Sequence, residues 1–368
     1  MSKKIRVIGI ILVAALWLGL VGFAWFGGTT ELSETERRPL AQFPGITGQS
    51  LMNGKFMTDF EDYTLDQFPL RDDFRTLKSL FSFYVLQHKD NNGIYLQDGY
   101  AAKLEYPLDE DSVNHGMDVV NTIYEKYLKE SGSTVFGAVI PDKGYYLAEA
   151  NGYPAMDYEK MFSLVQERMP FATYIDLTDS LSVEDYYFTD THWRQEKLLP
   201  VAEKLAGALG VTAPKAEDFR VKEVERPFYG VYYGQAALPL DAETMYLMES
   251  DLLAQCQVFD HEKNQYMPVY DPAMLESKDL YDLYLAGSKA LLTIENPNAK
   301  TDRELVIFRD SFGSSIAPLL VEDYKTVTLV DMRLINTTAL GSFMDFHGQD
   351  VLFLYSTLVL NSDTQRMR

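Results

Sequence analysis

Residues 305–315 read Leu305-Val306-Ile307-Phe308-Arg309-Asp310-Ser311-Phe312-Gly313-Ser314-Ser315. The apolar run Leu305 to Phe308, rich in branched side chains, describes a strand buried on both faces. It ends at Arg309, and the spacing predicts a helix from about Phe312 to Val321. A buried strand that turns directly into a helix is the repeating unit of an α/β sheet. In such sheets ligands bind beyond the carboxyl ends of the strands. Ser311 is presented at that edge, where its own N–H and those of the following turn can face an oxyanion. Gly313 permits close backbone approach. A simpler role suits the same residues, since Asp310 or Ser311 can merely cap the helix. The hydrolase elbow Gly-x-Ser-x-Gly is not matched, because Arg309 stands where its first Gly would be.

Outward from this segment the rhythm continues. Leu291–Ile294, Thr326–Val330 and Val351–Tyr355 read as further apolar strands. On the amino-terminal side, Val113, Met117, Val120, Ile123, Tyr124, Tyr127 and Leu128 share one helical face. Thr134–Ile140 is a buried strand. Tyr158, Met161, Phe162, Val165 and Met169 mark a second helix, followed by a strand at Tyr174–Leu177. A third helix from Leu198 to Leu209 is closed by Gly210. Alternating strands and helices predict a mainly parallel sheet covered on both faces. Residues 217–275 interrupt the pattern as a β-rich insertion, with a turn at Asp260–Asn264. Nearer the start, Phe56, Phe60 and Tyr63, then Phe74, Leu77, Leu80, Phe81 and Tyr84, predict two helices broken at Phe68-Pro69-Leu70. Ile94-Tyr95-Leu96 lies between turn signals at Asn91-Asn92-Gly93 and Asp98-Gly99 and reads as a hairpin strand.

A serine nucleophile needs a base. Of five His, His88, His115 and His261 sit in polar helix or turn contexts, and His347 lies near the last strand. His192 stands in Tyr187-Phe188-Thr189-Asp190-Thr191-His192-Trp193, just before a helix. Asp190, two residues upstream, can orient the imidazole if the turn is tight, leaving the other ring nitrogen to take the serine proton. His192 can equally be a structural His, and Asp190 a turn residue. The run Phe228-Tyr229-Gly230-Val231-Tyr232-Tyr233-Gly234 is the most exposed-looking aromatic cluster. Tyr229 and Tyr232 can stack on a sugar face or pack inward.

Composition narrows the classes. The chain has 368 residues, 33 Lys+Arg against 54 Asp+Glu, and a single Cys. Cys256 can form no intramolecular disulfide and no Cys-based zinc site, and it reads as packing. No calcium-loop spacing is present, so neither metal nor cofactor is expected. Val7–Gly28 holds no charged residue and is long enough to cross a bilayer. Lys3, Lys4 and Arg6 precede it, which keeps the start cytoplasmic and the remainder outside. A cleaved signal peptide has the same charged start but a shorter apolar core, and the bulky Val21–Phe26 stretch offers no small-x-small cleavage site. The organisation expected is a cytoplasmic start and signal-anchor over 1–28, an extended tether over 29–50, and an ectodomain over 51–368. Without the three anchor cations, 30 basic residues face 54 acidic ones, a net of −24. That excludes nucleic acid and suits a neutral or cationic polymer.

Together these segments resemble a known group. Asp190-Thr191-His192-Trp193 followed by Arg309-Asp310-Ser311-Phe312 is similar to the SGNH-hydrolase-like proteins of polysaccharide O-acetylation, among them the alginate acetylation proteins. More closely, the chain resembles the DHHW family of Gram-positive bacteria. Further blocks are Glu36–Pro44, Asp66–Arg71, Pro141-Asp142-Lys143, Tyr281–Leu285, Leu292–Asn296 and Val330–Arg333. The resemblance implies a three-layer α/β/α fold after an N-terminal transmembrane helix, and a triad in which Asp190 and His192 precede the nucleophile Ser311. The Ser311 N–H is the first oxyanion donor it suggests, with Arg333 as another candidate. Departures are the missing second consecutive His, Arg309 before Asp-Ser, and Gly287-Ser288 where an Asn-bearing loop is common.

The expectation is a membrane-anchored extracytoplasmic O-acetyltransferase or acetylesterase acting on a cell-surface polysaccharide. The resemblance implies a multi-spanning membrane O-acyltransferase as the partner that exports the acetyl group. The rival reading is a non-catalytic polysaccharide-binding or assembly protein. Nothing suggests the side-chain pocket of a peptidase.

Overall fold

The computed structural model describes residues 3–368; residues 1–2 of the expected cytoplasmic start lie outside the described residues. Two compact units form. One holds the chain up to Asn92 together with Tyr233–Pro239, the other Gly93–Tyr232 together with Leu240–Arg368.

The first unit begins with helix α1 (Lys3–Phe26), whose Lys4–Ala24 stretch is long and apolar enough to cross a membrane. Leu32–Ser33 then pairs antiparallel with Arg38–Pro39. Helix α2 (Lys55–Asp66) and helix α3 (Arg71–Leu80) follow, the latter continuing as a wide turn over Phe81–Val85. They break at Phe68-Pro69-Leu70 as the sequence suggests. Part of the stretch expected as an extended tether is bonded to α2. Arg38 donates to both Asp66 oxygens at 2.8 and 2.6 Å, and the Ala41 amide donates to Asp66 at 2.9 Å. The residues after α1 are thus pinned to the end of α2 by a forked, charge-assisted pair.

The second unit opens with a hairpin, β1 (Ile94–Gln97) and β2 (Tyr100–Lys103), turned at Asp98-Gly99 where both φ angles are positive. Then come α4 (Glu110–Ile123), β3 (Thr134–Ile140), α5 (Tyr158–Arg168), β4 (Thr173–Tyr174) and α6 (Leu199–Leu209). The rest of the sheet is β5 (Gln257–Asp260), β6 (Gln265–Met267), β7 (Leu291–Glu295), β8 (Arg303–Arg309), β9 (Tyr324–Val330) and β10 (Asp350–Ser356). Helix starts are set by Asp109 and Asp157, whose carboxylates accept the Ser112 and Lys160 amides. Gly210, in the left-handed region, ends α6.

The strand order is β6-β5-β7-β9-β8-β10-β3-β4. The five strands from β9 to β4 are parallel to their neighbours, while β7, β5 and β6 add antiparallel. The fold is therefore α/β with a mainly parallel sheet and helices on both faces. Period-two alternation divides each central strand between two cores. Leu305 and Ile307 of β8 pack with Val201, Leu205 and Ile316 on one side. Val306 and Phe308 pack with Val120, Met161 and Phe162 on the other.

Three local expectations are corrected. The strand after α5 covers only Thr173–Tyr174, although Ile175 and Leu177 stay buried. The helix after Ser311 is a single turn, Gly313–Ile316, continued by a tighter turn at Ala317–Leu320; Pro318 has no N–H to extend an α-helix. The 217–275 segment is not wholly an insertion, since β5 and β6 extend the main sheet. Its separate part is the antiparallel ladder Arg220–Glu223 with Tyr246–Glu249.

Candidate active site

Among the described residues from Leu305 to Val321, Ser311 alone is not buried. The turn that presents it is fixed by Asp310. One Asp310 oxygen accepts the Phe312 amide at 3.0 Å. The other accepts the amide and hydroxyl of Ser356, at the end of β10, both at 2.7 Å. The same device ends two other sheet strands. Asp142 after β3 accepts the Gly144 amide, and Asp331 after β9 accepts the Arg333 amide. An Asp that bonds the amide two residues on makes a tight local turn, so the carboxyl edge of the sheet is built from repeated short turns.

His192 meets Ser311 there. Its Nε2 lies 2.7 Å from Ser311 Oγ, and its Nδ1 lies 2.6 Å from Asp190 Oδ1. The ring stacks on Tyr281 with centroids 3.8 Å apart, and Phe312 tilts against it at 4.8 Å. Tyr281 is itself held, because its hydroxyl and the Trp193 indole N–H both meet Ser315 Oγ at 2.8 Å. The imidazole is therefore confined by aromatic contact as well as by hydrogen bonds. The pairing of Nδ1 with a buried carboxylate favours the tautomer that leaves Nε2 as acceptor for the serine proton.

Asp190 lies on a closed loop, since Tyr186 bridges Trp193 antiparallel. This loop is clamped from both polarities. Glu243 accepts the amides of Phe188 and Thr189 at 2.5 and 2.7 Å, the Thr189 hydroxyl at 2.7 Å and Arg194 at 2.9 Å. Lys143, fully buried, donates to the carbonyls of Tyr187 and Phe188 at 2.8 and 3.2 Å. Burial pushes the Lys143 ammonium down to about 7, opposed by the nearby Asp190 and Glu243 charges. The second Asp190 oxygen accepts the Val231 amide at 2.8 Å. Gly230 makes that approach possible, because a Cβ there would stand 2.3 Å from the Asp190 backbone. Neither Glu243 nor the role of Gly230 was legible in the sequence; both act through contacts some 40 to 55 positions away. Lys143 was visible only as part of the Pro141-Asp142-Lys143 block.

The other expected site residues divide. Gly313 has its amide engaged, since it bonds the Asp310 carbonyl at 3.1 Å. Its lack of a side chain serves packing, as a Cβ would lie 2.6 Å from Arg309 Cβ. Arg333 is committed to Asp331 through Nε and Nη2 at 2.9 and 2.6 Å, and its Nη1 to Gln365. All three of its guanidinium nitrogens are thus engaged. Among the described residues none accepts a hydrogen bond from the Ser311 amide, which leaves that donor available. Tyr232 is buried with its hydroxyl on Thr191 at 3.2 Å, so it is not a sugar platform. Phe228 is buried as well, and the aromatic run is mainly inward-facing. Tyr229 remains 40% exposed beside Gly230. Cys256 packs in the core, with burial pushing its thiol up to about 11. Among the described residues no group of three or more His, Cys, Asp or Glu side chains is placed to hold a metal ion.

Two solved structures share this fold. A DHHW protein of Eubacterium siraeum has a similar structure, with 21% identity, TM-score 0.60, and coverage of 75% of this chain and 94% of that one. PatB1 of Bacillus cereus, solved with a sulfonyl adduct, is similar at 18% identity and TM-score 0.60, covering 75% and 98%. The O-acetyltransferase domain of Pseudomonas putida AlgJ is more distant, at 12% identity, TM-score 0.46, and coverage of 74% and 93%. No curated protein matches the chain in sequence. The family model for DHHW protein matches residues 150–330, the stretch that holds Asp190, His192, Glu243, Tyr281 and Ser311. The resemblance read from the residues is thus matched by a family model over residues 150–330.

Proposed function

We propose that the chain is a membrane-anchored, extracytoplasmic serine enzyme that transfers or removes acetyl groups on a cell-surface polysaccharide. The observation that carries the reading is the line Ser311 Oγ to His192 Nε2 at 2.7 Å and His192 Nδ1 to Asp190 Oδ1 at 2.6 Å. Ser311 is the nucleophile, His192 the base and Asp190 its orienter. Ser311 Oγ attacks the acetyl carbonyl as His192 takes its proton. The oxyanion faces the Ser311 amide, and the leaving oxygen takes the proton back from His192. In the second half a sugar hydroxyl, or water, gives its proton to His192 and attacks the acetyl-serine carbonyl. Ser311 Oγ leaves and is reprotonated.

Support for the polysaccharide is the family resemblance, the −24 charge outside the anchor, which suits a neutral or cationic polymer, and the exposed Tyr229 ring. Residues 1–28 are the anchor in this reading, oriented by Lys3, Lys4 and Arg6. Thioester donors are cytoplasmic, so the acetyl group has to be exported; a multi-spanning O-acyltransferase partner for this rests on the resemblance.

The test uses the full chain in detergent with 4-nitrophenyl acetate. Acetyl release is expected from the native chain and lost in Ser311→Ala and His192→Ala. A sulfonyl fluoride is expected to add one sulfonyl mass to the native chain and none to Ser311→Ala. Equal rates and equal labelling in all three proteins would reject the triad and favour the non-catalytic polysaccharide-binding reading.

A further inference from the structure

Helix α3 and the turn after it pack in reverse of a helix in water. Their inward face is polar. Arg75 donates to the Gly234 carbonyl and Ser79 to the Ala236 carbonyl, both at 2.7 Å, and Ser82 is buried. Their outward face is apolar. Leu70, Phe74, Leu77, Phe81 and Tyr84 fall at i, i+4, i+7, i+11 and i+14, one stripe of a helix, and are 42–73% exposed. Water penalises such a surface, and soluble monomers rarely carry a contiguous one unless something covers it.

The position of the stripe identifies the cover. Phe60, Tyr63 and Phe68 line one cavity, of about 320 Å³, with Trp17, Val21 and Ala24 of α1. Phe68 in turn meets Phe74 edge-on at 5.4 Å. The stripe is thus joined through aromatic rings to the outer part of the candidate span. With Lys4 inside, Trp17–Ala24 occupies roughly the last 10 Å of the crossing at 1.5 Å per residue. Side chains level with it lie at the depth of the aromatic belt, and amphipathic helices enter the interface by about 5–10 Å. Of the cations nearby, Arg38, Arg71 and Arg75 are all paired with Glu36. Among the described residues of α3, Lys78 is the one basic side chain outside that group; it meets Asn92 at 3.4 Å, and a lone lysine is not a basic cluster for anionic headgroups.

We propose that the Leu70–Tyr84 stripe is a second membrane contact, inserted among lipids of the outer leaflet by apolar burial rather than by charge. The inference rests on α1 spanning the bilayer, as in the functional reading above. The test uses the full chain in phosphatidylcholine vesicles, with cysteines placed singly by Leu12→Cys, Leu77→Cys, Tyr84→Cys and Lys222→Cys. Each carries an environment-sensitive fluorophore, with the native chain as blank because Cys256 is buried. The quencher is a lipid with a spin label near the headgroup end of its acyl chain or, separately, near the methyl end. Leu12 is expected to be quenched by the deep label. Leu77 and Tyr84 should lose about half their emission to the shallow label, consistent with interfacial depth, and keep it in high salt. Lys222 should stay unquenched. If Leu12 is quenched while Leu77 and Tyr84 behave like Lys222, the stripe is not a lipid contact and a protein covers it. If Leu12 itself is unquenched, the anchor reading fails and the stripe proposal falls with it.

Discussion

The Asp190 loop and helix α3 break the same rule in opposite directions. Around Asp190 polar and charged groups are buried; along α3 large apolar groups are exposed. In the loop the buried groups have partners. Glu243 takes four hydrogen bonds, Lys143 gives two, and Asp190 accepts from two amides and an imidazole. Burial of polar groups is tolerated when every lone pair is answered, and the outcome is a rigid mount. On α3 the exposed side chains are left 42–73% open to solvent, and the membrane contact proposed above would cover them. The contrast teaches how to read exceptions. A satisfied exception positions something, and an unsatisfied one awaits something.

The comparison can be broken at several points. The largest effect is expected at the reacting atoms, where Ser311→Ala should lower ester turnover about a thousandfold with the fold intact, as for triad serines; steady-state rates and circular dichroism on the same sample check both. Next is the mount. Glu243→Gln keeps the shape but discards the charge that meets Arg194 and three loop donors, so kcat should fall about ten- to a hundredfold through misplacement of His192. KM should change little, and the pH–rate profile should move with Asp190 displaced, which a purely structural role would not cause. Gly230→Ala drives a Cβ into the Asp190 backbone and should cost about 1–3 kcal/mol, the range for overpacking, measured by thermal or denaturant unfolding.

The other region is tested against a core control. Leu77→Ser should change stability in detergent by no more than about 0.5 kcal/mol, as for exposed sites. Ile307→Ala in the β8 core should cost about 2–5 kcal/mol in the same assay. A large loss at Leu77 would mean that the stripe packs within the protein. A last test is the titration of Lys143. Its pKa is pushed down to about 7 in the fold, below the ordinary lysine value near 10. Between these values the unfolded chain holds a proton that the folded one lacks, so this group adds stability as pH rises through that window and withholds it below. Lys143→Met should therefore show a flatter melting profile between pH ~7 and ~10 than the native chain.

Much of the framework was legible in the residues. Thr134–Ile140 is read to the residue, because a strand buried on both faces leaves an unbroken apolar run. The pairing of His192 with Ser311 followed from chemistry, since a strand-end serine needs a base and few His were available. The reach of the sheet was less legible. β5 and β6 looked like an insertion because antiparallel edge strands carry shorter and more polar patterns than central ones. Helix periodicity at Phe74, Leu77, Phe81 and Tyr84 was correct as spacing, yet it could not say whether the face turned inward or outward.

The residues by themselves determined local matters: where strands run, where Asp residues turn the chain, which segment can cross a bilayer, and which side chains can do chemistry. These depend on patterns within a few positions, set by side-chain period and backbone hydrogen bonding. Only the tertiary structure decided that Glu243 and Lys143 grip one loop, that Gly230 lets Asp190 be held, that Gln365 joins Asp331 in holding the Arg333 guanidinium, and that the stripe of α3 faces outward. Each of those is a contact between segments distant in sequence, and such contacts are set by the packing of the whole chain rather than by any local pattern.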